Sequence, residues 1–94
     1  MAYAITVLWH AKEGHEAEVE AILREMQECS RQEPGCLQYF AHRTEDPTKF
    51  LLYEQFVDRA AHEAHHDEEH YRRLVTGRGV QLVHERVITR CETL

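Results

Sequence analysis

Residues 36–57, CLQYFAHRTEDPTKFLLYEQFV, decide the fold. Cys36 to Arg43 and Phe50 to Val57 are rich in aromatic and branched aliphatic side chains and read as strands. Between them Glu45-Asp46-Pro47-Thr48 is a turn, because proline presets φ and aspartate bonds nearby backbone amides. So short a polar connection makes the two strands an antiparallel hairpin. In the later strand Phe50, Leu52 and Phe56 alternate with Leu51 and Tyr53, so both of its faces are apolar.

Upstream, Tyr3 to His10 is a further β-branched and aromatic run, broken by Lys12-Glu13-Gly14. From His15 to Gln32, Val19, Ile22, Leu23 and Met26 fall at i, i+3, i+4 and i+7, and Cys29 continues the stripe. Glu16, Glu18, Glu20 and Arg24 lie mostly off it, so the segment is an amphipathic helix, stopped by Pro34-Gly35. Downstream, Asp58 is a good N-cap for an Ala- and His-rich segment. A second helical stretch is predicted from about Asp67 to Val75, with Tyr71, Leu74 and Val75 apolar, ending at Gly77-Arg78-Gly79. Val80 to Cys91 reads as a long final strand that includes Val83, Val87 and Ile88. The order β-α-β-β-α-β predicts a single α+β domain, residues 1–94, of ferredoxin-like design. Both of its helices lie on one face of a four-stranded antiparallel sheet.

The strands are apolar at both parities: Tyr3, Ile5, Val7 and Trp9 on one side of the first, Ala4, Thr6 and Leu8 on the other. Helices cover one face, and a half-solvated sheet shows a cleaner polar alternation. The second face therefore predicts a homodimer, with interfaces of this kind burying on the order of 2,000 Å². A chain this short buries only about 60–65% of its unfolded surface, so a partner also adds stability. The net charge of −6, with 17 acidic against 11 basic residues, argues against nucleic acid and against an anionic membrane surface. Cys29, Cys36 and Cys91 are three in number with no Cys-x-x-Cys pair, which argues against a disulfide framework or a thiolate zinc site. The opening MAYAITVLWH lacks the basic flank and length of a signal peptide, so the expectation is a cytoplasmic protein.

Glu33-Pro34-Gly35-Cys36-Leu37-x-Tyr39, Asp46-Pro47, Phe50-x-x-Tyr53-Glu54-x-Phe56-x-Asp58, Ala64-His65 and His70-Tyr71 together resemble the antibiotic-biosynthesis-monooxygenase superfamily. Its small members include quinol monooxygenases, an autoinducer-processing isomerase and haem-degrading oxygenases. The resemblance covers nearly the whole chain and implies a dimeric α+β barrel, with a pocket in each subunit between the sheet and its helices. It points to Tyr39, Glu54, His65, His70 and Tyr71. Two residues depart from the pattern: Phe56 stands where many members have tryptophan, and Glu69 precedes His70 where many have proline or a small residue.

Glu54 shares the parity of Phe50, Leu52 and Phe56, so a carboxyl stands in an apolar wall. Buried unpaired it costs several kcal/mol, so it takes a donor from the Ala64–His70 region or stays protonated. The plainer reading is a Glu–His pair that only ties strand to helix. In an unbroken helix His65 and His70 point about 140° apart, and they share a pocket only if the helix breaks at Asp67-Glu68-Glu69, where Asp67 can cap a new one. His62-Glu63-Ala64-His65-His66 also satisfies His-Glu-x-x-His, and an unbroken helix aligns His62, His66 and His70 for a metal. No third-ligand pattern follows and no room is left for a cleft domain, so no metal is assigned. Tyr39, Tyr71, Phe56 and Trp9 are candidates to line an aromatic-binding pocket, against the plainer role of core or interface. Cys36 reads as a packed thiol, with no cationic neighbour in sequence to activate it.

The function this resemblance implies is a cofactor-independent monooxygenase acting with molecular oxygen on a small electron-rich aromatic, a quinol or polyketide phenol. His65 or His70 is the base, since an imidazole titrates near working pH, and Glu54 orients it. Tyr39 or Tyr71 bonds a substrate oxygen. The chain carries no flavin, nicotinamide or haem motif, and Val75 occupies the position of the axial histidine of the haem-degrading relatives. A small-sugar isomerase of the autoinducer-processing type and a non-catalytic dimeric binding or stress protein are the alternatives.

Overall fold

The computed structural model describes residues 1–94. Its chain runs β1 (Tyr3–Ala11), α1 (Glu16–Ser30), β2 (Cys36–Arg43), β3 (Lys49–Phe56), α2 (Arg59–His65), α3 (Glu69–Tyr71) and β4 (Val83–Glu92). The four strands make one antiparallel sheet in the order β2-β3-β1-β4, the ferredoxin-like arrangement. The sheet is open, with β2 and β4 at its edges.

Register determines what the helices cover. Ile5 lies opposite Glu54 on β3 and Arg90 on β4, Val7 opposite Leu52 and Ile88, and Trp9 opposite Phe50 and Arg86. Side chains alternate along a strand, so all of these share one face. The stripe Val19, Ile22, Leu23 and Met26 of α1 packs into the core with Ile5, Val7, Trp9, Leu52 and Phe56. Burying each such side chain contributes roughly 1.5–3 kcal/mol, so this layer dominates stability. The opposite face keeps Phe40, Leu51 and Val87 exposed at 44%, 38% and 50%. No helix is long and apolar enough to cross a membrane.

The second helical region bears out the Asp58 cap and differs in extent from the stretch predicted over about Asp67 to Val75. It starts directly after Asp58, whose Oδ1 accepts the Ala61 N–H at 2.9 Å. Its buried face is made of His62 and His65 rather than of aliphatic residues, so hydrophobic periodicity does not reveal it. The chain then breaks at residues 66–68, and α3 runs on into a π-helical turn over Arg72–Thr76, closed by Gly77 N–H on Arg72 O at 2.8 Å. The break falls where it was expected, but Asp67 does not cap it. Asp67 gives its backbone N–H to Ala64 O, and Glu68 holds the N-cap position without a side-chain bond. The last strand also starts later than predicted, because Gly79–Leu82 is a 3-10 turn. A Cβ at Gly79 would sit 3.0 Å from the Trp9 ring, so the chain passes flat over the indole there. Gly35 is a second tight approach: a Cβ would lie 2.5 Å from that of Ala61, so the start of β2 seats α2 directly.

Candidate active site

Between the helix-covered face of the sheet and the α2–α3 region lies a cavity of about 30 Å³. Ile5, Val7, Trp9 and Leu52 make its apolar wall, Tyr39 and Glu54 stand among them, and His62, His65, His66 and Tyr71 close it from the helical side. Val75, with Arg86, Ile88 and Arg90 of β4, completes the lining.

Glu54 is 4% exposed, and its Oε1 has no hydrogen-bond partner. Burial pushes its carboxyl from the ordinary 4.5 up to about 7, against the opposing pull of His65. The imidazole donor predicted for it is near but not bonded: His65 Nε2 stands 3.8 Å away and His62 Nε2 4.0 Å. Both separations exceed a hydrogen bond.

The acid that does bond the imidazoles is Glu33, which the sequence reading placed in a motif but gave no role. His65 Nδ1 lies 2.7 Å and His70 Nε2 2.6 Å from the same Glu33 Oε2. A carboxylate only accepts, so both nitrogens donate and His65 keeps its Nε2 lone pair on the Glu54 side. The break at 66–68 makes this possible, bringing the two rings to 6.0 Å between centroids. Glu33 follows α1 in the turn before Pro34-Gly35, one acid among many in the sequence. Only the tertiary fold brings it under α2, and no local signal distinguishes it.

His65 Nδ1, His70 Nε2 and Glu33 Oε2 lie within 4.8 Å of one another, a donor set of the kind that holds divalent metals. The oxygen stands 2.7 and 2.6 Å from the nitrogens, closer than the roughly 3.3 Å between ligands of a tetrahedral zinc. The arrangement is therefore one of shared protons. The alternative stripe of His62, His66 and His70 does not form. His62 and His66 approach each other at 4.6 Å, but His70 belongs to α3 and is committed to Glu33.

The remaining site residues divide. Trp9, Tyr39 and Tyr71 line the cavity as expected. Phe56 does not; fully buried, it packs behind the rings of His62 and His65, each 5.3 Å away. His70 also stands outside the cavity. It borders a shallow surface hollow with Cys29, Gln32 and Pro34 and is 12% exposed. Burial, and then the charge of Glu54, hold the Tyr39 phenol well above its ordinary range, so it is a neutral donor. Burial lowers His62 from 6.5 to about 4, leaving it neutral at pH 7. Cys36 is pushed up to about 11 by burial and then by Glu33 and Glu54, so its thiol stays protonated at neutral pH.

The cavity thus sets one buried carboxyl and one hydrogen-bonded imidazole against an apolar wall, on a ferredoxin-like scaffold. The chain belongs to the antibiotic biosynthesis monooxygenase family, whose model matches residues 1–77. Among solved structures it is similar to PA3566 from Pseudomonas aeruginosa, at 34% identity over 99% of this chain and 94% of that one, with a TM-score of 0.91. It is also similar to a protein described as an antibiotic biosynthesis monooxygenase, at 28% identity over 98% of both chains and a TM-score of 0.90. Rv0793 from Mycobacterium tuberculosis, 21% identical over 100% of this chain and 96% of that one, shares the fold with a TM-score of 0.93. No curated protein matches the sequence.

Proposed function

We propose that the protein is a cofactor-independent monooxygenase that hydroxylates a small quinol or polyketide phenol with molecular oxygen, working as a homodimer. The observation that carries this reading is His65, buried at the cavity, with Nδ1 fixed by Glu33 and Nε2 free to accept a proton. Family membership and a relative described as a monooxygenase point the same way.

His65 Nε2 takes a phenolic proton from the substrate, and the Glu33 carboxylate stabilises the imidazolium so formed. The phenolate passes one electron to oxygen. The resulting radical pair combines at a ring carbon, and loss of water leaves a hydroxylated quinone. One quinol and one O₂ give one hydroxyquinone and one water, so electrons and atoms balance without a bound cofactor. Apolar walls keep bulk water from the intermediates. Neutral Tyr39 donates to a substrate oxygen, and the proton held on His65 leaves through Glu33 and His70 to the surface hollow. The enclosed space of about 30 Å³ holds one or two waters. An aromatic ring needs more room than this, which displacement of the half-buried Tyr71 and His66 side chains would supply.

The second subunit covers the outer sheet face. There the register sets Leu8 between Leu51 and Val87, and Phe40 beside Tyr53. An exposed apolar strip of this breadth across all four strands is what a sheet-to-sheet dimer buries.

Oxygen uptake with 1,4-dihydroxynaphthalene tests the assignment. His65→Ala is expected to lower kcat by about 10²–10⁴ without loss of fold. Equal uptake by wild type and variant would leave a binding protein with no catalysis.

A further inference from the structure

Seven of the nine arginines are paired with a carboxylate or a backbone carbonyl. The two that have neither, Arg86 and Arg90, line the same cavity. They share a face of β4 with Ile88 between them, opposite Trp9 and Ile5. In a chain of net charge −6 whose other seven arginines all have a partner, two unpaired guanidiniums at one cavity are a departure in need of a cause.

We propose that the cavity selects aromatic substrates bearing a carboxylate, which Arg86 and Arg90 hold at the mouth while the ring passes toward Trp9, Leu52 and His65. The proposal deepens the monooxygenase reading and rests on it for the fate of the ring, but not for the binding step.

The chemistry of the lining favours this ligand. A guanidinium presents a planar fork that matches a carboxylate with two parallel hydrogen bonds. Arg86 already lies over the Trp9 ring at 5.2 Å, which fixes its plane beside the apolar wall. The imidazoles do not supply the positive charge, because His62 and His66 are both held toward the neutral form, chiefly by burial. The wall of Ile5, Val7, Trp9 and Leu52 suits a planar ring.

Calorimetric titration of the intact protein with 1-hydroxy-2-naphthoate and with 1-naphthol separates the two claims, since neither measurement needs turnover. The naphthoate is expected to bind roughly tenfold tighter in low salt, a preference that shrinks as ionic strength rises. The double variant Arg86→Gln/Arg90→Gln should lose that preference and keep its affinity for 1-naphthol, and Arg86→Lys/Arg90→Lys should retain part of it. Equal binding of the two ligands by wild type, or a preference that survives in the double glutamine variant, overturns the proposal and leaves the oxygenase reading standing. Failure of both ligands to bind overturns both. A double variant that only weakens dimerisation, with selectivity intact, assigns the arginines to the partner subunit and also overturns it.

Discussion

Replacing Glu54 by glutamine keeps the shape of the side chain and removes its titration. In the folded chain burial raises the carboxyl to about 7 from an ordinary 4.5. Between those values the folded protein binds more protons than the unfolded one, so this group makes stability fall as pH rises through the window. A difference of two and a half units at about 1.4 kcal/mol each sets a ceiling of about 3–4 kcal/mol. Most of it is lost between pH 5 and pH 8. His62 works in the opposite sense. Its value drops from 6.5 to about 4, so the unfolded chain binds the extra proton and stability rises with pH through that range. The two nearly offset each other from about pH 4.5 to 6.5, and above that only Glu54 is left. Urea unfolding of wild type and Glu54→Gln at pH 5 and pH 8 isolates the carboxyl, because His62 is common to both. The variant should gain about 2–3 kcal/mol over wild type on going from pH 5 to pH 8. The same stability difference at both pH values would refute the picture of an unpartnered buried acid.

Three further outcomes follow from the same geometry. Glu33→Gln leaves one of two buried imidazoles without its acceptor and should cost about 2–3 kcal/mol in urea unfolding, together with a lower kcat; unchanged stability would show that the two short contacts contribute nothing. Gly35→Ala pushes a methyl into Ala61 and should destabilise by about 1–3 kcal/mol. Adding Ala61→Gly should recover part of that loss, and strict additivity of the two changes would disprove the contact. Val87→Glu puts a charge on the half-exposed outer face and should convert a dimer to monomer in sedimentation equilibrium without unfolding it; a wild-type protein already monomeric at micromolar concentration would remove the dimer.

The sheet was legible because its strands carry the period-two pattern and its hairpin carries Asp-Pro. α1 was legible because one aliphatic stripe defines it. The start of α2 was legible in its Asp58 cap but its buried face was not, because His62 and His65 do the work of aliphatic residues there, and such residues score as polar in any periodicity. The parity argument placed Glu54 correctly on the covered face, and helix geometry correctly required a break between His65 and His70. The partner of those histidines lay beyond reach. Glu33 is separated from them by 32 and 37 residues, and what brings it there is the packing of α2 on the turn at Gly35. Parity shows that Phe56 faces the helices, but not that it packs against the His62 and His65 rings rather than lining the cavity.

Incubation with 1,4-dihydroxynaphthalene under ¹⁸O₂, followed by mass spectrometry of the product, bears most directly on the idea of a base in an apolar cavity driving oxygen into a phenol. The account predicts a hydroxynaphthoquinone carrying one heavy oxygen atom, formed by wild type and reduced to the buffer rate by His65→Ala. Unlabelled quinone alone, or labelled product formed equally fast by the variant, would contradict it.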